Sequence, residues 1–208
     1  MHAALLGDSI FDNAAYVRNG LPVIEHLRNC LAPLTWQATL LAVDGHTTPD
    51  VVNQLTRLPP NTTHLFVSVG GNDALGQAQM LNQPAGNVER ALAIFQGVRS
   101  RFRHAYREML QALLATVKPV TVCTIYDCIP DLTPARQAGV AGFNEVILRE
   151  AIAAGVAVID LRLLCDEPSD FSHVSVIEPS ETGGEKIARA IIDVMKGHHS
   201  RSPIYPRP

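Results

Sequence analysis

The chain has 208 residues, a formal net charge of −3 from 17 basic and 20 acidic side chains, and 47% hydrophobic residues. That length and apolar content suffice for one α/β domain with its own core, so no disulfide or structural metal is needed to hold it together. The charge balance gives no electrostatic basis for nucleic-acid binding, and no run reaches the roughly 18 apolar residues of a membrane span.

The first strand is expected over 2–6, so the chain enters structure at once and leaves no room for a charged leader with a cleavage site; a cytoplasmic location is the expectation. This strand ends at Gly7-Asp8-Ser9-Ile10. In an open parallel sheet the carboxyl ends of the strands form the site edge, which puts the Ser9 hydroxyl where a nucleophile works. A lone turn serine ordinarily bonds local backbone, and Asp8 and Asp12 are expected to shape this loop through Asx-type hydrogen bonds. Pro22 then starts a helix. A second strand over 37–43 runs into Asp44-Gly45-His46-Thr47-Thr48, and a helix follows behind a Thr48 cap.

A third strand over 64–69 runs into Gly70-Gly71-Asn72-Asp73, where Asp73 is expected to support the loop that presents Asn72. From Asn87 to Val117, apolar residues recur at Ala91, Ile94, Phe95, Val98, Phe102, Tyr106, Met109, Leu110 and Leu113, the period of a long helix with one face on the sheet. The basic cluster Arg99-Ser100-Arg101-Phe102-Arg103-His104 reads as its solvated face. A fourth strand over 119–125 precedes Tyr126, Asp127 and Ile129 on the same rim. A helix over 134–154 ends at Gly155, a fifth strand covers 156–160, and the last helix opens at Pro179 or Ser180. Right-handed crossovers favour a three-layer α/β/α, flavodoxin-like fold with a five-stranded parallel sheet in the order 2-1-3-4-5. One domain over 1–196 is expected, with 197–208 as a tail whose His198-His199 pair is too little to specify a metal site. Cys30, Cys123, Cys128 and Cys165 contain no Cys-x-x-Cys pair and read as reduced packing residues.

Three strand ends thus present Ser9, Gly45 and Asn72 in that order. A hydroxyl to attack, a glycine whose N–H can approach closely, and a side-chain amide are the parts of an acyl-transfer site. Through Gly7-Asp8-Ser9, Asp44-Gly45 and Gly70-Gly71-Asn72-Asp73 the chain resembles the SGNH hydrolases, the GDSL esterase and lipase family, along nearly its whole length. The resemblance implies Ser9 as nucleophile and Gly45 and Asn72 as oxyanion-hole donors. It implies no cofactor and no metal, and a small-molecule ester or acylated substrate.

The fourth block departs from the family pattern Asp-x-x-His-Pro-x-x-x-Gly. The matching segment, Ser175-Val176-Ile177-Glu178-Pro179-Ser180-Glu181-Thr182-Gly183, has Glu178 at the histidine position and Ser175 at the aspartate position. Immediately upstream, Asp170-Phe171-Ser172-His173 has the Asp-x-x-His spacing, with Val174 in place of proline. Two bases are therefore open. His173 oriented by Asp170 would follow serine-triad logic. Glu178, with an ordinary glutamate pKa of about 4.3, serves only if burial raises it.

No Gly-x-Ser-x-Gly surrounds Ser9, and neither a Walker sequence nor Gly-x-Gly-x-x-Gly occurs, which argues against a nucleophile elbow and against nucleotide binding. The reading is a serine hydrolase that cleaves an ester, thioester or O-acetyl bond through an acyl-Ser9 intermediate. The alternative is a catalytically weakened protein of the same fold that binds an acyl or carbohydrate ligand or a protein partner. A flavodoxin-like cofactor binder is the poorer third possibility.

Overall fold

The computed structural model describes residues 1–197; the rest of the tail, with His198-His199, lies outside the described residues. Strands β1 (His2–Gly7), β2 (Gln37–Leu40), β3 (His64–Ser68), β4 (Val120–Cys123) and β5 (Ala157–Ile159) form one parallel sheet in the order β2-β1-β3-β4-β5. The expected order is the observed one. Interior strand β1 is buried along its whole length because it is covered on both faces, as the unbroken apolar run Ala3-Ala4-Leu5-Leu6 requires. Its side chains alternate between two cores. Ala3 and Leu5 pack with helices α1 (Val23–Leu31) and α7 (Glu181–Met195), whereas Ala4 and Leu6 pack with α2 (Asp50–Gln54), α4 (Val88–Leu114) and α5 (Pro134–Ala153).

Most helix starts lie where their capping chemistry places them. Asn87 accepts from the Arg90 amide at 2.9 Å, Thr133 precedes Pro134 at the head of α5, and Ser180 accepts from the Gly183 amide at 3.2 Å. The second helix differs from expectation. Its N-cap is Pro49, which has no side chain to cap with, and the Thr48 hydroxyl donates to Asp73 instead. The expected solvated face of α4 also differs, since Arg99 pairs with Glu145 and both Arg103 and Arg107 pair with the buried Glu150, tying α4 to α5. Cys123 and Cys165 are buried as packing residues, but Cys30 and Cys128 are exposed.

Between β3 and α4 the chain forms a short helix α3 (Gly71–Gly76) and a 3₁₀ turn over Ala78–Asn82, and after β5 a short helix α6 (Leu161–Leu164), for which the sequence pattern gave no expectation. Strand β2 stops three residues early because the Leu41 and Ala42 amides both donate to the Leu5 carbonyl, at 2.8 and 2.9 Å, and break the ladder. The buried Gln54 side chain closes the gap. Its Oε1 accepts from the Gly7 N–H and its Nε2 donates to the Gly7 carbonyl, each at 2.8 Å.

Gly7 ends β1 at φ +120°, a conformation that side-chain-bearing residues rarely adopt, and a Cβ there would lie 1.8 Å from the Ser68 carbonyl oxygen. Both effects oppose any larger residue. Gly7→Ala is expected to lower unfolding free energy by about 3 kcal/mol or more, read from urea denaturation against the parent protein.

Candidate active site

The turn after β1 is built on Asp8. Its N–H donates to the Ser68 carbonyl at 3.0 Å, its carbonyl accepts from Phe11 and Asp12, and its Oδ1 accepts from the Ile10 amide at 3.1 Å. This is the expected Asx geometry. Ser9 is held inside it, buried, with its hydroxyl donating to Glu178 Oε1 at 3.0 Å. Asp12 joins the same framework by accepting from the Asp44 amide.

Glu178 reaches the serine from a pinned loop. Phe171 pairs antiparallel with Pro179, the Ser172 amide donates to the Glu178 carbonyl at 2.8 Å, and the Glu178 amide donates to Ser175 at 3.0 Å. The Tyr126 hydroxyl donates to the Ile177 carbonyl, and the fully buried Asn13 donates to the Pro179 carbonyl while accepting from the Val23 amide. Asn13 is therefore a brace for the loop. Burial pushes the Glu178 carboxyl up to about 7; the Ser9 hydrogen bond opposes this and the charge of Asp44 adds to it. Its Oε2 is buried without a hydrogen-bond partner among the described residues. Burial also raises the neighbouring Asp8 carboxyl well above the usual range, against the Ile10 hydrogen bond and with the Glu178 charge adding to the rise.

The alternative Asp170/His173 pair does not form. His173 is exposed and its imidazole bonds no described group, whereas Asp170 is buried beneath the loop. Asp170 Oδ2 accepts from Lys186 Nζ at 2.7 Å and from the Glu167 amide at 3.0 Å. The reason is local: Ser172 turns inward to donate to the Tyr16 carbonyl, which leaves the following residue in solvent. The Asp-x-x-His spacing therefore serves a helix-linking ion pair on one residue and a surface position on the other.

The remaining turns are tied to one another, and Asn72 lines the same cavity as Ser9. Asn72 Nδ2 donates one hydrogen to the His46 carbonyl at 2.9 Å, which ties the Gly45 turn to α3 and leaves the second amide hydrogen without a partner among the described residues. The backbone N–H groups of Ser9 and Gly45 likewise donate to no described acceptor. Gly45 sits on an exposed turn at φ +80° and does not line the cavity, unlike Ser9 and Asn72. Thr48 holds Asp73 through its amide and hydroxyl, both at 3.0 Å, so Asp73 braces the Asn72 turn as expected. His46 is half-buried, and Gln54 Nε2 donates to its Nδ1 at 2.9 Å.

Gln54 and Tyr16 are site residues that the sequence pattern did not reveal. Gln54 grips both backbone groups of Gly7 together with His46, and Tyr16 donates to Asp44 Oδ2 at 2.7 Å, which raises its phenol to about 12. Neither has a sequence signal, because each acts across a long chain separation. From Ser9 and Glu178 a cavity of about 570 Å³ extends over the carboxyl ends of β3 and β4 and between the first turns of α4 and α5. Tyr126 and Ile129, expected on this rim, line it. So do Ala91, Ile94 and Phe95, whose periodicity had placed them on the sheet.

The raised pKa of Glu178 has a stability consequence with a definite sign. The folded protein resists the charged form, so a cost is absent below about pH 4.5, grows as pH rises, and is complete above about pH 7. Glu178→Gln keeps an acceptor for Ser9 and removes that cost. It is expected to stabilise the fold by about 3 kcal/mol at pH 8 and by almost nothing at pH 4, measured by urea unfolding at both values.

Comparison with solved structures agrees with the fold. An α/β hydrolase enzyme from the metagenome of Lake Arreo, Spain, superposes with a TM-score of 0.71 at 18% identity, covering 96% of each chain. An acetyl xylan esterase from Geobacillus stearothermophilus gives 0.69 at 14% identity over 97% of each chain. An extracellular lipase from Streptomyces rimosus gives 0.65 at 19% identity, covering 96% of this chain and 100% of that one. No curated protein sequence matches the chain. The family model for the GDSL-like lipase/acylhydrolase family matches residues 5–184, a span that holds the turns of Ser9, Gly45 and Asn72 and the loop of Glu178, and the chain belongs to that family.

Proposed function

We propose that this protein is a carboxylic-ester hydrolase in which a Ser9–Glu178 dyad replaces a serine–histidine pair. The observation that carries the reading is the 3.0 Å hydrogen bond from the Ser9 hydroxyl to Glu178 Oε1 in a buried site that pushes that carboxyl to about 7. A base with its pKa near the working pH combines a useful fraction of the ionised form with real proton affinity. The ordinary glutamate value would leave it too weak for a hydroxyl.

In the proposed reaction the Glu178 carboxylate takes the Ser9 proton as Oγ attacks the ester carbonyl. The negative charge on the carbonyl oxygen is received by the Ser9 N–H and the free Asn72 amide hydrogen, neither of which donates to another described group, while the Gly45 turn, outside the cavity lining, anchors Asn72 through the His46 carbonyl. The protonated Glu178 then gives its proton to the departing alkoxide, leaving an acyl-Ser9 ester. Water attacks that ester with Glu178 again accepting the proton, and collapse of the second tetrahedral species returns the serine hydroxyl and releases the acid. Each bond made and broken is covered by these groups.

A second reading keeps the fold and the cavity but not efficient turnover. It is favoured by the unpartnered Glu178 Oε2, since no third group orients this carboxylate as an aspartate orients a histidine. The two readings separate by experiment. Ser9→Ala is expected to abolish hydrolysis of p-nitrophenyl esters and labelling by a fluorophosphonate; a labelled Ser9→Ala protein removes Ser9 as nucleophile, and an unlabelled parent protein favours the binding reading.

The base is tested by pairing two variants. Glu178→Gln is expected to lower kcat about 10²- to 10⁴-fold and to remove the inflection near pH 7 below which the parent's kcat/KM falls tenfold per pH unit. His173→Ala, altering an exposed side chain, is expected to stay within about twofold of the parent. The opposite pattern assigns the proton transfer to His173.

A further inference from the structure

We propose that Gly139 is a specificity-determining residue that opens a channel for an extended hydrocarbon chain of the substrate, an inference that rests on the ester-hydrolase reading and names its substrate class. The channel lies between two helices. Ala91, Ile94 and Phe95 of α4 face Ala135, Ala138 and Gly139 of α5, both sets at the i, i+3, i+4 spacing of one helix face. Polar groups gather at the end that holds Asp8, Ser9 and Glu178, with Gln77, Gln83 and Arg136 also on the lining, while the facing positions Ala91, Ile94, Phe95, Ala135, Ala138 and Gly139 bring no side-chain hydrogen-bonding group into the space between the helices. An acetyl group would leave most of the roughly 570 Å³ unfilled. A flexible saturated chain fits such a wall because each methylene buried there gains free energy without needing a partner.

Two glycines of α5, one turn apart, have opposite surroundings. A Cβ on Gly142 would meet the Phe95 ring at 2.3 Å, so this glycine is there to admit the ring. The Phe95 ring thereby closes the space in front of Gly142. A Cβ on Gly139 would meet nothing within 4 Å, although the residue is half-buried and lines the cavity. Its φ is not in the left-handed region, and a glycine at an ordinary helix-interior position costs about 1 kcal/mol relative to alanine. No neighbour, turn or strain accounts for that cost. The empty volume in front of Gly139 does, because it is part of the channel that leads to Ser9.

Gly139→Leu tests this without threatening the fold, since the added side chain enters open space and improves helix propensity. The parent is assayed with p-nitrophenyl esters from acetate to decanoate and, separately, with acetate esters of alcohols from ethanol to decanol. The expected result is a rise in kcat/KM of about threefold per methylene in one series, which also states whether the acyl or the alcohol half enters the channel. Gly139→Leu is expected to cut that rise at least tenfold at eight carbons and beyond while leaving acetate turnover within twofold. Flat chain-length profiles in both series, or a variant with the parent's profile, overturn the proposal while leaving the Ser9 chemistry intact. Binding of 1-decanol, followed by calorimetry, reads the channel even if no ester is turned over: the parent binds and Gly139→Leu binds at least tenfold more weakly. Equal binding, or none to either protein, overturns the channel independently of catalysis.

Discussion

Removing the Glu178 carboxylate from water is the constraint on which the site depends. Most of the loop architecture around it has the effect of holding that group dry: the Phe171–Pro179 pairing, the Asn13 brace between the loop and α1, and the Tyr126 hydroxyl on the Ile177 carbonyl. A buried carboxylate with one oxygen unsatisfied is unfavourable by itself, and the neighbouring buried Asp8 adds to the cost. The fold tolerates this because β1 and its neighbours carry two full hydrophobic cores. The cost is concentrated on two neighbouring acidic side chains, Asp8 and Glu178, beside the Ser9 hydroxyl.

The same loop sets which of its residues faces Ser9. Asp170, Lys186 and the Ser180 cap fix the start of α7, and the backbone pairing at Ser172 and Glu178 fixes the height of the loop over Ser9. Whatever residue stands at position 178 is delivered to the Ser9 hydroxyl by backbone geometry alone. Position 173 is delivered to solvent by that geometry, because the inward turn of its predecessor uses the hydroxyl of Ser172 as an anchor on Tyr16. Motif spacing is therefore a weaker guide than position relative to the helix that follows.

A division of labour runs along the cavity. Its polar end draws on three strand-end turns that are cross-tied, Asp44 to Asp12, His46 to Asn72 and Gln54 to Gly7, so that the turns of Ser9, Gly45 and Asn72 belong to one hydrogen-bonded unit. Its apolar end is bounded by helix faces whose residues are small where the space is open and large where it is closed. Long helices serve both ends at once: the later turns of α4 pack in the core through Phe102, Tyr106 and Met109, while its first turns give their apolar face to the cavity.

Much of this was legible before any coordinates. Alternation of apolar strands with helical periods determines a parallel sheet, and the Gly7-Asp8-Ser9, Asp44-Gly45 and Gly70-Gly71-Asn72-Asp73 turns determine which residues stand on its rim, because strand ends and turn chemistry are local properties of the chain. Local pattern also misled, placing Ala91, Ile94 and Phe95 on the sheet, since periodicity reports that a helix face is apolar and is silent on whether protein or a cavity covers it. Only the tertiary structure placed Glu178, and not His173, on the Ser9 hydroxyl, found Gln54 beneath Gly7, and distinguished Gly139 from Gly142. Each of those depends on which groups meet across scores of residues, and on how much water remains between them, quantities that no local stretch of sequence contains.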